Sequence, residues 1–421
     1  MKYGGKDLEG WEFMRIRGIP LKVHQSWFLI FLLFTWTSAG QVANVIETPI
    51  PVWTRWIIGL ITSLLLFISV LLHELGHSFV AIREGVKVRS ITLFFLGGVA
   101  FVEKECSTAM GTFRVAIAGP LVSLSLAIFL SWSVQSANQI NPLLANLLAQ
   151  LGSLNFILAF FNLLPGLPLD GGIILKSLVW HFTGSQRKGI LVANSIGHFL
   201  SIACILLGFI IVFSAKSIGG LWLIVMGWFG LSASRSQSHM LNLQKMLVEI
   251  KTSHASRRGF RVLEDSESLK KLSEISKIQK GDDYQPEWIL ICHQGRWLGY
   301  INDLVLKDVP VQNWDTSLLR EYLSPLEELP SITCKEPLWK AVLILENSEA
   351  GRLLVLNEAH LPQGTIDRVD LGLTILRKIG LRLPDQFIQS ARKKNVYPLG
   401  LSLPDIVNSM LASNIINLDK S

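Results

Sequence analysis

Charge is what this chain of 421 residues has least of: only 17% of it is Asp, Glu, Lys or Arg, against a usual quarter, and half of it is apolar. That scarcity, with a mean hydropathy of +0.41, excludes an ordinary soluble protein and a disordered one. Cysteine is scarce too. Cys106, Cys204, Cys292 and Cys334 show neither paired nor metal-ligand spacing, which excludes a disulfide scaffold or a cysteine zinc site and fits free thiols. Acidic residues are missing where bases are not: residues 1–240 hold 16 Lys+Arg against 9 Asp+Glu, while residues 241–421 hold 23 of each. The whole surplus of +7 therefore lies in the apolar part, where it reads as topology and not as nucleic-acid binding.

Apolar segments at 26–46, 56–79, 113–134, 144–165, 190–214 and 218–234 each approach the ~20 residues a spanning helix needs. Six spans place both termini on one side. With that side cytoplasmic, the inner segments collect fourteen basic residues, among them Lys2, Lys6, Lys104 and Arg235, and the outer loops keep only Arg55 and Lys216. A secretory signal is the competing reading of the N-terminus, but the stretch before Gln25 is long and carries Asp7, Glu9 and Glu12, unlike a short basic leader.

Against that apolar background, residues 73–77 read His-Glu-Leu-Gly-His. Histidines four apart share one helix face and can both ligate Zn²⁺, and Glu74 between them is placed to act as a general base. Ionisable groups inside a span cost about 3 kcal/mol or more each, so three within five residues point to function. A third ligand is needed for a catalytic zinc, and Asp170 in the run Asn162-Leu-Leu-Pro-Gly-Leu-Pro-Leu-Asp170-Gly-Gly is the candidate. By the topology above, it reaches the same cytoplasmic depth as His73 and His77. A turn with Asp170 as a helix cap is the plainer alternative.

These motifs resemble the site-2 protease family of intramembrane zinc metalloproteases, type M50, whose signatures are HExxH and Asn-x-x-Pro-x-x-Pro-Leu-Asp-Gly. The resemblance also takes in Gly18-Ile19-Pro20 to His24, Gly97-Gly98-Val99 and Ala118-Gly119-Pro120, and so covers about residues 15–235. It implies that His73, His77 and Asp170 hold one zinc, that Glu74 activates water, and that Asn162 contacts the substrate backbone or the developing oxyanion. It further implies that residues 91–102 form a re-entrant hairpin that can pair with an unwound substrate, a plain interfacial loop being the alternative. The implied substrates are single-span membrane proteins such as membrane-anchored regulators, in a bacterial inner or a thylakoid membrane. His24 is either a residue that helps hydrate the site or an ordinary interfacial histidine.

Past Arg235 a charged connector (237–258) leads to a soluble α/β region at 259–380 and an extension at 381–421. Two similar orders of elements end in Gly299-Tyr-Ile-Asn-Asp-Leu304 and Gly364-Thr-Ile-Asp-Arg-Val-Asp-Leu371. This resembles a tandem of cystathionine-beta-synthase (CBS) domains, which implies an adenine nucleotide, homo-oligomerisation through the pair, and control of the membrane region. Asp370 matches the aspartate that holds a ribose in that pattern, whereas Asp367 replaces its Ser/Thr and the first repeat has Val305 where the aspartate belongs. The fold expected is thus a polytopic α-helical membrane protein, residues 1–236, with a CBS pair. Two competing functions are a CBS-regulated transporter or channel, which leaves both zinc motifs unexplained, and an inactive receptor on the protease scaffold, although no ligand is lost.

Overall fold

The computed structural model describes residues 10–45, 51–95, 97–102, 106–215, 219–279, 288–302, 304–412 and 416. Lys2, Lys6, Lys104 and Lys216, counted in the charge asymmetry, lie outside the described residues. The chain falls into two compact units that divide between Ser238 and His239, the second running to Leu411.

In the first unit, strands β1 (Trp11–Ile16) and β2 (Ile19–Val23) precede helix α1 (Ser26–Val45) and the long helix α2 (Val52–Arg83). A hairpin follows, β3 (Val88–Phe94) and β4 (Gly97–Val102), then α3 (Ala109–Ile140), α4 (Pro142–Asn162), α5 (Asp170–Thr183), α6 (Gln186–Ala215) and α7 (Gly219–Glu249). Every expected span is occupied by a helix. Among the described residues four helices are long and apolar enough to cross a membrane: α2, α3, α4 and α6. The apolar side chains that face outward from them, such as Trp56, Phe129, Phe160 and Leu206, suit lipid and would be a liability in water. Residues 237–249 of the expected connector continue α7 as helix.

The hairpin expected at 91–102 is present as β3 and β4, in place of a plain loop. Two elements of this unit were not expected. The first is the pair β1 and β2, which extends that hairpin into a four-stranded sheet in the order β1-β2-β3-β4, with β2 and β3 parallel and the other pairs antiparallel. Its buried face packs Ile19, Leu21 and Ile91 on Leu75, the middle residue of the histidine motif, so the sheet holds the helix face opposite the two histidines. The second is α5, whose 14 residues are too short to span.

The second unit repeats one order of elements twice. The first copy runs β5 (Phe260–Glu264), α8 (Leu269–Gln279), β6 (Trp288–His293), β7 (Arg296–Ile301) and α9 (Val305–Asp308). The second runs β8 (Ser331–Thr333), α10 (Leu338–Asn347), β9 (Arg352–Leu356), β10 (Pro362–Asp367) and α11 (Arg368–Lys378), followed by α12 (Asp385–Lys393) and α13 (Leu403–Ala412). In each copy the first two strands are parallel across a helical crossover and the last two are antiparallel. Leu290 of β6 and Leu354 of β9 share one buried cluster, so the copies fold on a common core. This repeated arrangement is the order of elements that the resemblance to a CBS pair implies for the region.

Candidate metal centre and active site

His73 and His77 lie on one face of α2, and Asp170 is the first residue of α5. Asp170 therefore opens a helix of its own beyond the end of α4. A seven-residue loop containing Pro165 and Pro168 separates α4 from α5 and delivers the carboxylate to the histidines. Asp170 Oδ2 sits 3.1 Å from His73 Nε2 and 3.2 Å from His77 Nε2, and the two nitrogens are 3.2 Å apart.

Helix α3 supplies the outer partner of each imidazole. His77 Nδ1 lies 2.7 Å from the Val115 carbonyl, which can only accept, so that nitrogen carries a proton and Nε2 of the neutral ring presents a lone pair. His73 Nδ1 lies 2.9 Å from the fully buried Ser123 hydroxyl. Between these contacts stands Gly119, where an added Cβ would fall 2.1 Å from His77 Nε2 and 2.7 Å from His73 Nε2. Only glycine lets α3 approach so closely. Neither Val115 nor Ser123 was singled out from sequence; a hydroxyl in an apolar span was the available signal for Ser123, and a backbone carbonyl leaves none.

Three ligand atoms, one on buried His73 and two on half-buried His77 and Asp170, lie within 4.8 Å of one another, an arrangement that suits a shared cation. Ligands placed about 2.0–2.1 Å from a tetrahedral zinc are about 3.3 Å apart, close to the separations here. The donor set and its outer hydrogen bonds thus fit zinc, with room for a fourth ligand.

Glu74 opens into a cavity of about 490 Å³ shared with His77 and Asp170 and walled by Gly98 to Ala100 of β4, Pro168 and Lys176. A Cβ at Gly98 would lie 2.4 Å from Glu74 Cγ, so β4 passes directly over the glutamate. As the last strand in its sheet, β4 also has a free edge among the described residues. Asn162, the last residue of α4, is half-buried and is not among the residues described as lining this cavity. A different asparagine, fully buried Asn155, donates from α4 to Ser69, one turn before His73. His24 caps α1: its Nδ1 accepts the Ser26 N–H at 3.1 Å, and it too is absent from that lining.

In the second unit, Asp370 lies in the first turn of α11 and is already engaged. Its carboxylate accepts from Arg257 Nε at 3.1 Å, from Arg392, and from the backbone N–H of Asp367. Asp367 returns the capping bond to the Asp370 N–H at 2.7 Å, and both guanidiniums reach it at 3.4 Å. Burial, and after it the Asp367 carboxylate, raises the pKa of Asp370 to about 6 against the pull of Arg392 and Arg257. A ribose on Asp370 would have to displace a guanidinium.

The fold and this site define a class: an integral membrane protein with a His-His-Asp cluster that fits zinc, beside a glutamate. Residues 61–141 and 133–207 match the model of peptidase family M50. The Synechocystis sp. protein sll0528, whose name marks it as a candidate zinc metalloprotease, is 33% identical over 84% of this chain and 92% of its own length. A solved site-2 protease from Methanocaldococcus jannaschii is 31% identical over 55% of this chain and 95% of its own, with a TM-score of 0.38. The CBS domain of a bacterial CNNM/CorC family Mg²⁺ transporter aligns with 40% of this chain and 99% of its own at 14% identity and a TM-score of 0.27. The chain belongs to peptidase family M50, the site-2 proteases that its motifs resemble.

Proposed function

We propose that this protein is an intramembrane zinc endopeptidase that cleaves single-span membrane proteins, such as membrane-anchored regulators, and releases a cytoplasmic product. The observation that carries this reading is the convergence of His73, His77 and Asp170 at 3.1–3.2 Å, with Glu74 lining the same cavity. A zinc ion held by His73, His77 and Asp170 would supply Lewis-acid polarisation and lower the pKa of water. Glu74 takes a proton from the attacking water and passes it to the leaving amine nitrogen. The edge of β4 offers backbone N–H and C=O groups to an extended peptide, which would hold the scissile bond over Glu74 by strand addition. Asn162 is assigned to the substrate backbone or the developing oxyanion.

The basic residues retained on one side of the spans support cytoplasmic termini and a cytoplasmic CBS pair. That pair is assigned to gating, with homo-oligomerisation through it. An adenine nucleotide enters this reading by opening the Arg257–Asp370–Arg392 cluster, so Arg392→Ala should tighten ATP binding by the full-length protein; unchanged or weaker binding would remove the nucleotide from the account. For the protease itself, protein reconstituted in liposomes with a panel of single-span substrates should lose about 10²–10⁴-fold in cleavage on Glu74→Gln while keeping its zinc. Equal cleavage by the variant refutes the proposal.

A further inference from the structure

Residues 241–421 carry 23 bases and 23 acids, yet residues 371–400 hold six bases and a single acid, Asp385. Arg392 is committed to Asp370, which leaves Arg377, Lys378, Arg382, Lys393 and Lys394, all exposed. Apolar side chains are exposed in the same stretch. Of nine large apolar residues exposed after residue 250 among the described residues, five fall between 379 and 399: Ile379, Leu381, Phe387, Val396 and Leu399. Phe387 is 62% exposed and Leu399 64%, the latter on a left-handed backbone at φ 54° that Leu rarely adopts. Short α12 joins these two loops, with Phe387 on one side and Lys393 about a third of a turn away.

A soluble surface spreads its charges and keeps isolated apolar groups. Here a domain with no net charge gathers five cations and five exposed apolar residues into one stretch of about twenty residues, from the last turn of α11 through α12 to Leu399. We propose that residues 377–399 form a membrane-surface site that takes anionic lipid headgroups on its cations and seats Phe387 and its apolar neighbours among the upper acyl carbons. Charge complementarity chooses this occupant: a leaflet of anionic lipid is the negative, apolar-backed surface that the patch matches, and the spans of the same chain keep such a leaflet close at hand. On the topology proposed above, the leaflet is the cytoplasmic one. The catalytic centre takes no part.

Deuterium uptake by peptides from residues 381–396 would be followed in the full-length protein in nanodiscs of neutral phosphatidylcholine and in discs with about 30 mol% phosphatidylglycerol. Both faces of a disc carry the same lipid, so the result does not depend on which side the domain occupies. Anionic discs should slow uptake about threefold or more, and about 0.5 M salt or the variant R382E/K393E/K394E should remove the effect. These three residues are exposed, so the variant is expected to fold, checked by unchanged uptake in β8–β10. Equal uptake in both discs overturns the proposal, as does slowing that survives charge reversal. Protection in detergent that rises with protein concentration would identify a second copy as the occupant and would also overturn it.

Discussion

Asp170 and Asp370 are the same residue type in the same kind of place, the first turn of a helix, with most of the side chain buried. What faces each of them differs. Asp170 looks at two imidazole nitrogens whose rings are held from behind by α3, the Val115 carbonyl turning the His77 lone pair inward, so the cluster suits a cation. Asp370 looks at two guanidiniums and a backbone N–H, so its charge is already met. A motif aspartate is therefore read by its neighbours and not by its place in a pattern. In the membrane unit the neighbours form a donor set that fits a metal; in the second unit they already bond the carboxylate.

The comparison can be broken at the neighbours. The largest effect is expected from Gly119→Ala, which puts a methyl group 2.1 Å from His77 Nε2 and should abolish zinc binding, read by metal content of the purified protein. A variant that binds zinc as tightly as wild type would mean that α3 does not pack as described. Next is Arg392→Ala, which leaves buried Asp370 with one guanidinium fewer; the CBS unit should lose about 2–3 kcal/mol in denaturant unfolding, with zinc unchanged. Ser123→Ala removes the hydroxyl beside His73 Nδ1 and should weaken zinc about 10–100-fold in chelator competition while leaving the fold intact.

The smallest effect is a pH dependence. The native pKa of Asp370 is raised above its unfolded value, so its contribution to stability is fully present below about 4 and is lost as pH rises through about 6. Unfolding of the CBS unit should show this slope, below about 1.4 kcal/mol per pH unit, and Asp370→Asn should erase it.

Much of the site was legible because helix geometry alone puts His73 and His77 on one face and because polar residues in an apolar span are costly enough to signal a purpose. The six helical segments were legible from apolar length. The sheet beyond the expected hairpin was not. Strand β1, Trp-Glu-Phe-Met-Arg-Ile, alternates no buried face, and β2 is only five residues long, so neither shows a strand period before β3 and Leu75 supply a partner. Helix α5 escaped because Lys176 and His181 break its apolar run. The arginine cluster around Asp370 draws on residues 257 and 392, over a hundred positions apart, and local pattern cannot join them. Asp367 in place of a hydroxyl was the one hint, since a second carboxylate beside Asp370 demands a counter-charge.

The direct test of this account is the zinc content of the full-length protein and of two charge-neutral variants, Asp170→Asn and Asp370→Asn, purified alike. One zinc per chain in wild type and in Asp370→Asn, with little or none in Asp170→Asn, is the result predicted. Zinc retained by Asp170→Asn, or absent from the wild type, would contradict it.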